Sequence, residues 1–438
     1  MLHAVIRCPR CSARIDLKLE ITCDSCGQHY PRLGAVPILL RDPESYLRSC
    51  RAQLGLLEQQ TDRTVKAIEQ QLHAADVLET TKARCRAMSQ AIRDQTLEIK
   101  AILEPVVGPS VGVASGEIPA PLQYIHYLYR DWGWPSSPDG ENERVLSLID
   151  TMLAKRLLGR TLVLGAGACR LAYDLHRRDS TAETFVVDIE PFLFTCAHTI
   201  IRGGSLTIHE ANVEVHETEQ ATKVWELSAP NGAIPEDRFH FVIADGLEPP
   251  FDPEAFDTIV TPWFIDVVPS DLRDVISTIH RLLKPGGRWI NVGPLAYRPA
   301  VPIAHRLSRE ELFDLATRAG FHVDGWRSES MPYLVSKLNG RGKVEWILAF
   351  AATKTEARSD AWLLFRHLPI PSFAGQETFS SDDPAIQMVV SAIDGRRTLD
   401  DIAKLIAAQA SETGLTMSQF REIVRRCLAE VHPGCGRS

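Results

Sequence analysis

The sequence lacks both an excess of positive charge and any long apolar run. Its 48 Lys and Arg residues are outnumbered by 56 Asp and Glu, giving a formal net charge of −8. This charge disfavours a protein whose main function is to bind the phosphate backbone of nucleic acids. No stretch approaches the roughly 20 apolar residues of a membrane-spanning helix, and the start of the chain has no secretory pattern. We therefore expect no membrane association and a cytoplasmic location.

The length and composition indicate several globular domains. A chain of 438 residues with 45% hydrophobic and 24% charged residues is too long for one ordinary domain and too apolar for disorder. Changes in composition and a linker rich in Pro, Gly and Ser predict the boundaries. The predicted domains are a metal-binding ribbon over 1–41, a helical hairpin over 42–105, an α/β domain over 121–356 and a small helical or winged-helix module over 360–433.

Four of the ten cysteines form two CxxC pairs within the first 26 residues, Cys8 with Cys11 and Cys23 with Cys26. Two such turns facing each other make a closed tetrahedral site, so we predict a structural Zn²⁺ bound by four thiolates. A site with four sulfur ligands leaves no open position for catalysis. An iron–sulfur site, a redox pair and a degenerate ribbon remain the alternatives.

A glycine turn lies at the centre of the α/β pattern. The segment TLVLGAGACRLA predicts a strand, a turn at Gly165 and Gly167, and a helix, and strand-like and helix-like patches then alternate as in a doubly wound parallel sheet. Asp188, Asp245 and Asp266 lie at or near strand ends, where ligands of such sheets bind. Bare backbone amides at the turn would suit a nucleotide-like ligand. A tight turn without a ligand is the alternative.

Four segments together resemble the carnosine N-methyltransferase family, within the class I S-adenosylmethionine-dependent methyltransferases: YLYRDWGW, LVLGAGACRLA, TPWFIDVV and LLKPGGRWINVGPLAYR. The resemblance covers about residues 121–354 and implies a Rossmann-like methyltransferase fold. It implies that Arg130 holds the methionine carboxylate of S-adenosylmethionine and that Gly165 and Gly167 form the turn beneath it. It also implies that Asp188 takes the ribose and that Asp245 lies beside the adenine.

For the methyl acceptor, the resemblance implies that Asp266 orients an imidazole. A carboxylate that accepts the N–H of one ring nitrogen turns the other lone pair toward the methyl group. Substrate contacts are predicted for Trp263, Tyr297, Arg298 and Tyr333. The sequence departs from the family at Arg298, where the family has histidine, and at Cys169, where its turn has glycine; the later segment PYLVSKLNG retains only Tyr333 as an easy match.

The sequence thus predicts an N-methyltransferase that uses S-adenosylmethionine and acts on an imidazole-containing small molecule, peptide or protein. The amino-terminal cysteine segment also resembles the zinc ribbons of methyltransferase activators and of some ribosomal-RNA methyltransferases, so an RNA methyltransferase is the first alternative. Nucleic acid is disfavoured as a partner but stays open. A scaffold that has lost its chemistry is the second alternative. The carboxyl-terminal module could dock a protein partner or cover the enzyme, and we favour the second.

Overall fold

The structure is a computed structural model that describes residues 5–17, 20–112, 119–137, 140–154, 156–178, 181–268, 271–336, 338, 342–356, 361–363, 365–410 and 414–432. Within these residues, no helix is both long and apolar enough to cross a bilayer.

The amino-terminal part is a small ribbon followed by a helical hairpin. The ribbon has four short strands, β1 (Ile21–Thr22), β2 (His29–Tyr30), β3 (Arg32–Leu33) and β4 (Val36–Pro37), and the hairpin consists of α1 (Pro43–Gln71) and α2 (Glu79–Val107). Asp42 caps α1 by accepting a hydrogen bond from the Ser45 amide. The two helices run antiparallel and are joined between their apolar faces by a buried hydrogen bond between Thr61 and Thr96.

Two helices and a π-helical turn lead into an α/β unit. The elements are α3 (Ala120–Leu128), the π-helical turn Tyr129–Gly133, α4 (Glu141–Leu153), β5 (Gly159–Leu164), α5 (Arg170–Arg177), β6 (Thr181–Asp188), α6 (Pro191–Ile201), β7 (Leu206–Ala211), β8 (Thr222–Leu227), β9 (Phe239–Ile243), β10 (Phe256–Pro262), α7 (Leu272–Leu282), β11 (Leu283–Gly293), α8 (Arg309–Arg318), β12 (Phe321–Tyr333) and β13 (Lys343–Lys354). Three further helices, α9 (Pro384–Ala392), α10 (Leu399–Gln409) and α11 (Met417–Val431), follow.

The central sheet has seven strands in the order β12-β13-β11-β10-β5-β6-β9. All of its strands run parallel except β13, which pairs antiparallel with both β11 and β12. This order, with one reversed strand near an edge, is that of class I S-adenosylmethionine-dependent methyltransferases, so the predicted fold class is confirmed. The separate antiparallel pair β7–β8 was not predicted from the sequence.

The order of strands fixes where a ligand can bind. The chain starts the sheet at β5 and builds outward in one direction through β6 and β9 and in the other through β10 and β11. Ligands of open α/β sheets bind beyond the carboxyl ends of the strands at this reversal. The glycine turn after β5 and the segments after β6, β9 and β10 therefore converge on one edge of the sheet.

Both accessory parts pack against the sheet domain. The ribbon reaches the edge strand β9, where Ile38 pairs in parallel with Ile243 and the Leu39 amide donates to the Ile243 carbonyl at 2.8 Å. A second ribbon segment pairs at Ile6 with Phe251. The three carboxyl-terminal helices enclose a core of their own.

Candidate functional site

The glycine turn adopts a conformation that requires its glycines. Gly165 and Gly167 have φ angles of +70° and +54°, a region that L side chains rarely occupy. A Cβ on Gly165 would lie 2.7 Å from the Phe264 ring, whereas a Cβ on Gly167 would meet no atom within 4 Å. Gly165 is thus needed for close packing, and Gly167 leaves open space above the turn. That space fits a bound cofactor.

The turn's amides are not bare, contrary to the sequence-based expectation. Gly165 N donates to the Val187 carbonyl at 2.9 Å, and Gly167 N donates to Asp188 Oδ2 at 2.7 Å. Asp188 faces the turn, and its Oδ1 also accepts from the amides of Ile189 and Glu190. Since each carboxylate oxygen has two lone pairs, Asp188 has capacity left mainly on Oδ2. It can accept one ribose hydroxyl more readily than two.

Two residues that sequence reasoning missed lie beside Asp188. Glu190 caps α6, where its Oε1 accepts from the Phe192 amide at 3.3 Å, and burial, with a smaller contribution from the charge of Asp188, raises its pKa to about 8. Tyr46 of α1 donates its hydroxyl to the Ile189 carbonyl at 2.9 Å. In the sequence, Glu190 followed by Pro191 is typical of a helix start, but this pattern does not indicate that Glu190 lies close to the glycine turn.

Asp245 follows β9 and is exposed. Its Oδ1 accepts from the Leu247 amide at 2.8 Å, and the Ala244 amide donates to the Asp188 carbonyl at 3.2 Å. Asp188 and Asp245 therefore project from the ends of adjacent strands. The next residue, Gly246, packs against the same Phe264 ring as Gly165, since a Cβ there would lie 2.7 Å from it.

The RDW segment lies in the π-helical turn and is bonded directly to the glycine turn. Trp132 donates its indole N–H to the Ala168 carbonyl at 2.8 Å, and Arg170 donates to the Asp131 carbonyl at 2.6 Å. Arg130 is mostly buried, with ion pairs to Asp131 at 2.7 Å and to Glu141 at 3.1 Å. A methionine carboxylate would therefore compete with two resident carboxylates for this guanidinium, which has five N–H donors in total.

An aromatic cluster adjoins Arg130. Trp263, itself in the left-handed region with φ of +45°, stacks on Tyr333 with ring centroids 5.5 Å apart and an interplanar angle of 18°. Tyr333 donates its hydroxyl to Tyr127 at 2.9 Å, and Arg130 lies 5.3 Å from the Tyr127 ring centroid. The Trp263 indole N–H donates to Glu345 at 3.0 Å. Tyr127 and Glu345 were not predicted from the sequence; Glu345 lies far from the motifs.

Asp266, the predicted catalytic carboxylate, is 2% exposed. Burial raises its pKa to about 6, and the charge of Glu345 contributes, while its own amide, the Ala296 amide and Arg298 oppose the rise. One of its oxygens, Oδ1, is buried and has no hydrogen-bond partner among the described residues. An unpaired buried acceptor is costly unless something donates to it. Asp266 is therefore placed to accept a hydrogen bond from a ligand.

Tyr297 and Arg298 flank Asp266 from the segment after β11. Burial raises the pKa of Tyr297 to about 12, and the negative charge of Asp266 adds to that effect. The Arg298 amide donates to the Asp266 carbonyl at 3.3 Å, and its side chain is exposed. The structure thus brings Asp266, Tyr297 and Arg298 together, while Trp263 and Tyr333 form the separate stack beside Arg130.

The four clustered cysteines, Cys8, Cys11, Cys23 and Cys26, have sulfur atoms that all lie within 4.8 Å of one another. The closest pairs are 3.5 and 3.7 Å apart. Four sulfurs at the Zn–S distance of a tetrahedral site would be about 3.8 Å apart. The Tyr30 hydroxyl lies 3.0 Å from the sulfur of Cys8, where it can donate to a thiolate. The arrangement fits Zn²⁺.

Comparison with known proteins finds similarity to one family. The model described as carnosine N-methyltransferase matches residues 121–337, so the resemblance predicted from the sequence motifs is confirmed. The mouse carnosine N-methyltransferase is 36% identical over 98 residues, which are 22% of this chain and 24% of the mouse protein. The Schizosaccharomyces pombe carnosine N-methyltransferase is 28% identical over 241 residues, 47% of this chain and 60% of that protein.

The similarity is partial in extent. The match covers about a quarter of the length of the mouse relative. Among solved structures, a Haemonchus contortus phosphoethanolamine N-methyltransferase 2 in complex with S-adenosyl-L-methionine aligns with a TM-score of 0.37 and 17% identity, covering 56% of this chain and 61% of that one. A likeness of this size adds nothing to the assignment of a substrate.

Proposed function

We propose that this protein is an N-methyltransferase that moves a methyl group from S-adenosylmethionine to an imidazole nitrogen, because residues 121–337 match the carnosine N-methyltransferase family model. The acceptor is a histidine-containing small molecule or peptide. The ribbon holds a structural Zn²⁺ and takes no part in the chemistry. The proposal joins the family match to one feature of this chain, the unpaired oxygen of Asp266.

The buried Oδ1 of Asp266 carries the proposal. A neutral imidazole has one N–H donor and one lone pair on its two ring nitrogens. If the N–H is donated to Asp266, the tautomer is fixed and the lone pair points away from the carboxylate. The unpaired oxygen thus supports a ligand that donates one ring N–H. The pKa of Asp266, about 6, leaves its carboxyl group ionised at neutral pH.

S-adenosylmethionine, when bound, supplies an electrophilic methyl group on a sulfonium. The work left to the protein is alignment, because a neutral imidazole is already nucleophilic near pH 7. As the nitrogen gains the methyl group, positive charge develops on the ring. The carboxylate of Asp266, which is 2% exposed, stabilises that charge from a buried position. Arg298, exposed and next to Asp266, is available to a carboxylate on the acceptor.

For the donor side, we propose that the nucleoside lies over Gly167, where a Cβ would meet no atom of the described residues within 4 Å. Asp188 accepts a ribose hydroxyl on Oδ2, and Asp245 lies near the base. Arg130 takes the methionine carboxylate on the N–H groups that Asp131 and Glu141 leave free. Glu190, half-buried beside Asp188, is an additional candidate for the ribose.

A methyl-transfer assay with labelled cofactor tests the proposal. Carnosine and histidine-containing peptides should accept the label, and mass spectrometry should place it on the ring. Matched peptides with Phe in place of His serve as controls and should stay unlabelled. Transfer to RNA instead would favour the ribbon-guided alternative, and absence of S-adenosylhomocysteine binding by calorimetry would favour the inactive scaffold.

Substitution of Asp266 separates chemistry from cofactor binding. Asp266→Ala should abolish transfer and leave the affinity for S-adenosylhomocysteine nearly unchanged, because Asp266 faces the acceptor. Asp76→Asn, a change at an exposed position in the loop between α1 and α2, is the control. A large loss of cofactor affinity in Asp266→Ala would mean that this carboxylate belongs to the donor site.

A further inference from the structure

A cavity lies where the ribbon, the sheet domain and the carboxyl-terminal module meet. Its volume is about 360 Å³. The ribbon contributes Arg7, the sheet domain contributes the segment 247–251 and one face of α7, and the carboxyl-terminal part contributes Arg366 and Arg421 among others. We call this cavity the junction pocket. It is separate from Asp266 and from the glycine turn, which do not line it.

The junction pocket is strongly basic. Six cationic side chains line it against two carboxylates, Glu248 and Asp400; the cations are Arg7, Arg41, Arg281, Arg366, Lys404 and Arg421. Glu248 is shared by Arg421, at 2.8 Å, and Arg366, at 3.7 Å. From just outside the lining, Asp252 pairs with Arg7 and Asp274 pairs with Arg366. Four carboxylates thus face the six cations, and positive charge remains in excess in a protein whose net charge is −8.

Arg281 forms no ion pair with a carboxylate of the described residues. Its guanidinium donates to the carbonyls of Phe251 at 3.0 Å and Pro249 at 3.3 Å, and no carboxylate of the described chain is seen in an ion pair with it. Burial lowers its pKa to about 10 and repulsion from Arg366 contributes, while the more distant charges of Glu248 and Asp400 oppose the fall. A buried cation pressed against other cations lacks the paired anion that such groups normally have.

Two buried polar atoms of pocket-lining residues also lack partners. Ser277 is 2% exposed, and its Oγ has no hydrogen-bond partner in the part of the chain that the structure describes. Nδ1 of His367 is likewise buried and unpartnered, while its Nε2 lies 2.9 Å from His280 Nδ1. Native structures leave few such groups unpaired, and an unseen ion or ligand is one of the standard reasons. Here both belong to residues that line the same basic cavity.

We propose that the junction pocket binds an oxyanion, either free phosphate or the phosphoryl group of a larger molecule. Phosphate oxygens accept hydrogen bonds from guanidinium groups and from the Ser277 hydroxyl. Monohydrogen phosphate also keeps one O–H, so it can pair with either tautomer of His367 Nδ1. The bound anion contacts residues from the ribbon, the sheet domain and the carboxyl-terminal module, and thereby holds all three together.

The test is titration of the full-length, zinc-loaded protein with sodium phosphate, read by calorimetry and by the unfolding temperature, against sodium chloride at equal ionic strength. Phosphate should bind and raise the unfolding temperature where chloride does not. Ser277→Ala should weaken binding about tenfold, the typical worth of a hydrogen bond to a charged group, and Arg281→Gln should weaken it further. Titration with ribose 5-phosphate distinguishes a phosphoryl group on a larger molecule from free phosphate, and binding of either supports the site.

Exposed positions outside the pocket supply the controls. Ser205→Ala and Arg178→Gln should bind phosphate like the unmodified protein. If Arg281→Gln does not fold, Ser277→Ala alone decides the question. The proposal is overturned if phosphate shows no effect beyond chloride, or if Ser277→Ala binds phosphate as tightly as the control variants do. Neither result would bear on methyl transfer, since the pocket is remote from Asp266.

Discussion

Replacing Asp266 with Asn should remove activity and at the same time stabilise the protein. Asn has the shape of Asp and keeps an oxygen for the amides that now donate to the carboxylate, but it carries no charge. The buried charge of Asp266 is costly, and its pKa of about 6 expresses that cost. A residue that lowers stability in order to serve a ligand is expected at an active site.

The magnitude follows from the two pKa values. An aspartate in an unfolded chain has a pKa near 3.9, against about 6 in the folded protein. Because the folded chain binds the proton more tightly, this contribution to the free energy of unfolding is fully present below about pH 4 and is lost as the pH rises to about 6. The loss amounts to about 3 kcal/mol. In Asp266→Asn, an amide N–H without a hydrogen-bond partner would reduce the gain in stability by about 1–2 kcal/mol.

Urea unfolding of the cofactor-free protein, followed by tryptophan fluorescence at several pH values, measures the effect. The free energy of unfolding of Asp266→Asn should exceed that of the unmodified protein by about 1–2 kcal/mol at pH 7.5, and the difference should shrink or change sign near pH 4.5. The exposed substitution Asp76→Asn should show no such pH-dependent difference. A constant difference across this pH range would refute the reasoning, because it would mean that the charge of Asp266 is not destabilising.

Three further predictions address the rest of the site. Gly167→Ala should lower the free energy of unfolding by about 1–2 kcal/mol because of the positive φ at this position. Its Cβ would enter the proposed cofactor space, so the affinity for S-adenosylhomocysteine should fall at least tenfold in calorimetry. Normal affinity would place the cofactor elsewhere. Arg298→Gln should raise the KM for a carboxylate-bearing acceptor about fivefold, the worth of one exposed ion pair, without changing cofactor affinity, and an unchanged KM would remove Arg298 from the acceptor site. The protein should carry about one Zn²⁺ per chain by elemental analysis, and Cys8→Ser should lose both the metal and affinity for S-adenosylhomocysteine, whereas full affinity in metal-free protein would separate the ribbon from the cofactor site.

The sheet was predictable because its motifs are local. A strand, a glycine turn and a helix succeed one another within about fifteen residues around Gly165, and the buried strands have apolar runs that need no knowledge of their neighbours. Likewise, the ligands of the predicted metal site fall within 26 residues. The pair β7–β8 was missed because its half-exposed strands lack such runs, as the mixed exposure of its residues indicates.

The site was predictable only in part, because its partners come from distant parts of the chain. The positions of Asp188 and Asp266 at strand ends could be inferred, but not that Asp188 would bond the Gly167 amide. Glu345 contacts Trp263 across 82 residues, and Tyr46 reaches the segment after β6 across 143 residues. No spacing in the sequence encodes such contacts. They depend on how the hairpin and the reversed strand pack.

The position of the ribbon bears on the choice between the two enzyme hypotheses. A sheet edge exposes unpaired backbone groups, and the ribbon covers part of one by pairing Ile38 with Ile243 of β9. On its other side, the Arg7 amide donates to the Pro250 carbonyl at 2.8 Å, and Arg7 forms an ion pair with Asp252. The segment between these two attachments contains Asp245, proposed to lie beside the base. The ribbon is thus attached on both sides of the loop proposed to contact the base, an arrangement that requires no nucleic acid. If this proposal is right, loss of Zn²⁺ should lower cofactor affinity before it affects the rest of the enzyme.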